Sequence, residues 1–98
     1  MNQENMEELE LVLEGTFHQD IDTPEEALRQ YIYEVDLPWL KKISSIIKCF
    51  LDTNLKEEEK NKIIIDNVEI YFPALSMSPT EWLMSVWNTM NLYINSVC

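Results

Sequence analysis

Twice in 98 residues the chain writes one helix-start signature, a hydroxyl side chain, then proline, then a glutamate three positions after the hydroxyl: Thr23-Pro24-Glu25-Glu26 and Ser78-Pro79-Thr80-Glu81. The hydroxyl accepts from an N–H of the first helical turn that has no intrahelical partner, and the carboxylate reaches back to the cap. Proline at the first helical position gives up a donor that would be orphaned there anyway. Asn54-Leu55-Lys56-Glu57 reads as a third start, and Asp36 ahead of Leu37-Pro38-Trp39 as a fourth. A further helix is expected from about Glu4 to Glu14, with Gly15 just past its end as the left-handed closing residue. The expected fold class is all-α, a compact bundle of about five helices in one domain over residues 1–98.

Periodicity agrees with the caps. Leu28, Tyr31, Ile32 and Val35 share one face of the second helix, Leu40, Ile43, Ile47 and Phe50 of the third, and Leu83, Val86, Met90, Tyr93 and Val97 of the last. Val68-Glu69-Ile70-Tyr71-Phe72 alternates instead and Pro73 closes it, so a short extended segment near 68–72 is predicted to lead into the last helix. Lys56 to Lys62 is a mixed-charge run that reads as a solvated helix face.

An apolar share of 46%, with three Trp, four Tyr and three Phe, is enough for a packed core and too much for a disordered acidic tail. One glycine argues against phosphate-cradling loops and dinucleotide fingerprints, which need backbone at positive φ or in close approach to a ligand. The N-terminus has no basic region followed by an apolar one, and no stretch approaches the roughly 18 apolar residues of a membrane span, so a cytoplasmic location without membrane contact is expected. Cys49 and Cys98 have no metal-ligand spacing and read as free thiols, with a bridge through Cys98 as the other reading.

Residues that invite a chemical role each have a plainer one. His18, the only imidazole, with Asp20 and Asp22 nearby, has the parts of a general base or a metal ligand; it equally suits a turn-holding hydrogen bond between the first two helices. Neighbouring carboxylates such as Glu25 and Glu26 point about 100° apart on a helix, which suits capping and solvation better than paired acid–base work. Trp39, Trp82 and Trp87 lie on or beside apolar stripes without interleaved bases, so they read as core rather than as stacking platforms for nucleic acid. A formal charge of −11 opposes direct binding to a phosphate backbone. No catalytic residue, cofactor or metal is expected.

That charge is lopsided: residues 1 to 36 hold eleven of the eighteen acids and one base, Arg29, a net of −10, while the rest of the chain is close to neutral. Such a field favours a cationic partner. On a helical wheel the first helix turns Met6, Leu9 and Leu13 one way and gathers Glu7, Glu10 and Glu14 within about 60° on another side, around Leu11. Glu10 and Glu14 repel at four-residue spacing, and Glu14 lies near the negative end of the helix dipole, each at a cost of a few tenths of a kcal/mol. The second helix repeats the arrangement with Tyr33 near Glu26, Arg29 and Gln30. An apolar or aromatic anchor ringed by carboxylates suits a basic protein surface; an ordinary solvated acidic face remains the plain alternative. The candidate contact residues are Glu7, Glu10, Leu11, Glu14, Asp20, Asp22, Glu25, Glu26, Tyr33, Glu34 and Asp36.

Thr16-Phe17-His18-Gln19-Asp20, followed by Thr23-Pro24-Glu25-Glu26-Ala27-Leu28 and Tyr31-Ile32, resembles a family of contact-dependent growth inhibition immunity proteins. Ser78-Pro79-Thr80-Glu81-Trp82-Leu83 is similar to the family's closing helix, so the two matches frame residues 15 to about 95; Ile21 stands where an aromatic is more usual. The resemblance implies a small helical protein made beside a polymorphic toxin, binding the toxin's C-terminal domain as a heterodimer and protecting the producing cell. It also implies that Phe17, His18, Gln19 and Asp20 are scaffold. Many such toxins are nucleases with basic surfaces, which agrees with the charge. An acidic nucleic-acid mimic that blocks DNA-binding or restriction proteins is the alternative expectation.

Overall fold

The helices begin where the caps put them. In the computed structural model, which describes residues 2–18 and 23–97, the order is α1 (Gln3–Thr16), α2 (Pro24–Glu34), α3 (Leu37–Leu51), α4 (Glu57–Asn67), a 3₁₀ helix (Phe72–Leu75) and α5 (Pro79–Val97), with no strand among the described residues. Asn2 Oδ1 accepts from the Asn5 N–H at 2.8 Å, Thr23 Oγ1 from Glu26 at 3.1 Å, and Asp36 Oδ1 from Trp39 at 2.9 Å. At α5 the box is reciprocal: the Glu81 N–H donates to Ser78 Oγ at 3.2 Å and the Ser78 N–H to Glu81 Oε1 at 2.9 Å. The backbone donor, then the Ser78 hydroxyl, favour the ionised form and hold the Glu81 carboxyl below its ordinary value.

Three boundaries and one buried face differ from expectation. Gly15 does not close α1; the helix runs through it to Thr16, and the Phe17 N–H makes the closing bond to the Leu13 carbonyl at 3.0 Å. No described glycine has positive φ, and a Cβ at Gly15 would meet nothing within 4 Å. Gly15→Ala is therefore expected to stabilise the fold by about 0.5–1 kcal/mol, seen as a higher urea midpoint with unchanged slope. Asn54 does not start α4, which begins after Lys56 without a side-chain cap bond. The end of α3 continues past Leu51 through a turn in which Thr53 Oγ1 donates to the Phe50 carbonyl at 2.8 Å, and Glu57, Glu58 and Glu59 complement the dipole of the first α4 turn instead. Phe72 leaves the extended segment to start the 3₁₀ helix, so the extended part ends at Tyr71. In α5 the buried stripe is Leu83, Val86, Met90 and Ile94, with Val97 exposed, because a true helical period drifts away from the last expected position.

Packing follows the stripes. α3 lies against α1 and α5, and α4 against the same two helices. Leu9, Leu13, Leu40, Ile43, Ile47, Phe50, Ile64, Leu83 and Met90 are essentially sealed from solvent. Phe17 joins them at 2% exposure, its ring edge-on to Trp82 with centroids 4.8 Å apart, and Trp82 meets Phe72 at 5.7 Å. The Phe17 carbonyl also accepts the Glu69 N–H at 2.8 Å, tying the end of α1 to the extended segment. Trp82 is thus core, while Trp39 and Trp87 sit at the core's edge with the ammonium groups of Lys42 and Lys48 over their rings at 5.2 and 5.0 Å. Trp39 Nε1 donates to the Tyr31 hydroxyl at 2.9 Å, whose ionisation burial pushes up.

Candidate functional site

Burying Leu9 and Leu13 fixes the rotation of α1, and that rotation turns its acids outward. Glu7 and Glu14 are exposed, Glu10 half-exposed, and Leu11 stands among them with 67% of its surface open. Gln3 Nε2 donates to Glu7 Oε1 at 3.1 Å, and among the described residues no cation pairs with Glu7, Glu10 or Glu14. Glu8 faces the other way and meets Lys42 of α3 at 3.2 Å. The α1 face is a patch of uncompensated carboxylate around one aliphatic side chain.

The second acidic helix is divided rather than continuous. Leu28 and Ile32 are buried, so Glu25, Glu26, Arg29 and Tyr33 border α5, whereas Gln30 and Glu34 border α1. Glu26 is held by the Arg29 guanidinium one turn on, and Asp36 is engaged as the cap of α3. Of the acids expected as one contact pool on this helix, Glu25 and Glu34 thus keep exposed carboxylates uncommitted to either bond. Gln19, Asp20 and Asp22 lie outside the described residues, and with them the expected pairing of His18 with an aspartate. His18 is exposed and lines a notch of about 190 Å³ with Gly15, Thr16, Ala27, Gln30, Tyr31 and Glu34. Cys49 is a free, exposed thiol.

Between α2 and α5 runs a groove of about 660 Å³. Leu28, Ile32, Trp82 and Val86 contribute its apolar floor, Leu75 at the end of the 3₁₀ helix and Met77 from the turn before α5 also line it, and Ser85, Thr89 and Tyr93 form the α5 wall. Tyr33, 74% exposed, stands on the opposite lip with Glu25. The α5 wall was not among the expected contacts. Its one sequence signal is compositional: from Trp82 to Val97 there is no charged side chain, in a protein in which 26% of residues are charged, and Leu92 on that helix is 73% exposed. Met77 and Ser85 also border a second cavity of about 520 Å³ toward α4, where the Thr80 hydroxyl donates to the Glu57 carboxylate.

Among the described residues no group of three His, Cys, Asp or Glu side chains is placed to hold a metal ion. No described helix is long and apolar enough to cross a membrane.

A model of the CdiI immunity protein family matches residues 5–90, from the first turn of α1 to the middle of α5. No curated protein and no solved structure matches the chain.

Proposed function

The chain belongs to the CdiI immunity protein family, so it neutralises a contact-dependent growth inhibition toxin and is an inhibitor, not an enzyme; we propose that its target is a basic nuclease domain, bound one to one in the cytoplasm. The observation that carries this reading is the unpaired carboxylate patch of Glu7, Glu10 and Glu14 around Leu11. A nuclease carries cationic side chains to hold phosphates. A matching array of carboxylates speeds encounter by about 10- to 10³-fold and competes for the same cations. Leu11 adds an apolar contact at the centre of the patch, where water is most readily excluded. The acids of α2 extend the negative field toward the groove lip.

Co-purification with the toxin domain encoded beside it tests this reading. The expected result is a complex of equal stoichiometry that weakens as salt rises, together with survival of cells that express both proteins. No complex at low salt and no protection would overturn it. Binding to many unrelated basic nucleases in a panel would favour the mimic, since immunity requires one cognate partner.

A further inference from the structure

Carboxylates on α1 attract a cationic protein but do not distinguish one from another, because point charges in water recognise sign far better than shape. The groove between α2 and α5 supplies the shape. Its volume falls in the roughly 300–1,000 Å³ range of sites that enclose a bound group; Leu28, Ile32, Trp82 and Val86 form a buried floor, and the half-buried Leu75, Met77 and Tyr93 leave apolar surface open to it, forgoing dispersion contacts a packed core would make. Its rim narrows the choice of occupant. Arg29 is bound to Glu26, which leaves Glu25 as the uncompensated charge, and the facing α5 wall offers only the hydroxyls of Ser85, Thr89 and Tyr93. An acidic segment would be repelled by the −10 of the first 36 residues, and a charged side chain pushed to the floor would lose its water against Leu28, Ile32 and Val86. A second copy of the chain would bring the same excess of negative charge with it. An apolar side chain projecting from a basic surface meets both conditions.

We propose that this groove seats an apolar anchor of the toxin domain, with a lysine or arginine beside the anchor meeting Glu25 and with Tyr33 closing over it. The proposal rests on the toxin-binding reading and adds the feature that selects the cognate toxin. Carboxylates bring the partner in, and the fit of its apolar side chain between α2 and α5 keeps it there.

The experiment compares binding kinetics of the intact protein and its variants with the cognate toxin domain. Thr89 is exposed and its side chain bonds only the Ser85 carbonyl one turn back, at 3.0 Å, so it can be changed without entering the core. Thr89→Arg, which places a cation in the slot, is expected to weaken binding by about 100-fold or more, through faster dissociation rather than slower association. Tyr33→Ala, which removes the lip, is expected to cost about 10-fold; it reads the same surface if the arginine variant fails to fold by circular dichroism. Dissociation rates within twofold of the parent for the folded variants would overturn the groove while leaving toxin binding intact. If the parent protein itself forms no complex, both ideas fall. Dimers in sedimentation that Thr89→Arg dissolves, with toxin affinity unchanged, would assign the groove to a second copy and overturn the proposal.

Discussion

Phe17→Ala is expected to remove about 3–5 kcal/mol of folding stability, a large share of the total of about 5–15 kcal/mol for a domain of this size. Three observations set that figure. The ring is 2% exposed, so truncation forfeits its whole transfer free energy. It packs edge-on against Trp82, which in turn leans on Phe72, so the cavity left behind has rigid aromatic walls that collapse poorly. The Phe17 N–H and carbonyl are both engaged, to Leu13 and from Glu69, and alanine keeps both bonds, so the loss reports the ring alone. Urea unfolding should show a much lower midpoint at similar slope, and Phe17→Leu, which retains most of the volume, should lose less than about 1.5 kcal/mol. A Phe17→Ala protein within 1 kcal/mol of the parent would remove this residue from the centre of the fold.

Reversing Glu10 and Glu14 to lysine together is expected to slow association with the toxin domain by about 10-fold or more at low salt and to flatten its salt dependence. α1 holds five acids and no base, and the double reversal takes its net charge from −5 to −1. At about 0.15 M salt the screening length is near 8 Å, so the difference from the parent should shrink as ionic strength rises. Dissociation should change little, since exposed rim charges act on encounter. Nor should the variant be much less stable: the two lysines repel each other as the two glutamates did, while a cation near the end of α1 suits the helix dipole, worth a few tenths of a kcal/mol. A slower rate therefore cannot be ascribed to unfolding. Stopped-flow mixing decides it, and an unchanged association rate would place the contact surface away from α1.

Where a structural signal lies within three or four residues of its target, the sequence shows it. The caps at Thr23, Asp36 and Ser78 are side chains bonding an N–H one turn away, and each stands where expected. Asn54 has the same chemistry, but the turn that ends α3 runs on past Thr53, and no local rule foretells how far one helix's ending delays the next. Gly15 misled for a related reason: glycine permits a left-handed closing residue without requiring one. The α1 patch was legible because Leu9 and Leu13 set the rotation that exposes Leu11 and its acids. The groove was not, because its walls come from α2, the segment at Leu75 and Met77, and α5, which are far apart in the chain and brought together only by packing, α2 on α1 and α5 on α3 and α4. Likewise, that Glu26 is bound to Arg29 while Glu25 is left facing solvent depends on rotamers and neighbours, which spacing alone does not specify.

The local character of the helix starts has a consequence in time. Cap bonds at α1, α2, α3 and α5 each close over no more than three residues, and the one backbone bond joining distant segments among the described residues runs from Glu69 to Phe17. Helical chains dominated by such short-range order fold in microseconds to milliseconds. Synthesis of 98 residues, at about 5–20 residues per second, takes about 5–20 s. The interval between starting a new copy and having a usable inhibitor is then set by translation, and a cell meeting incoming toxin depends on the stock it already holds.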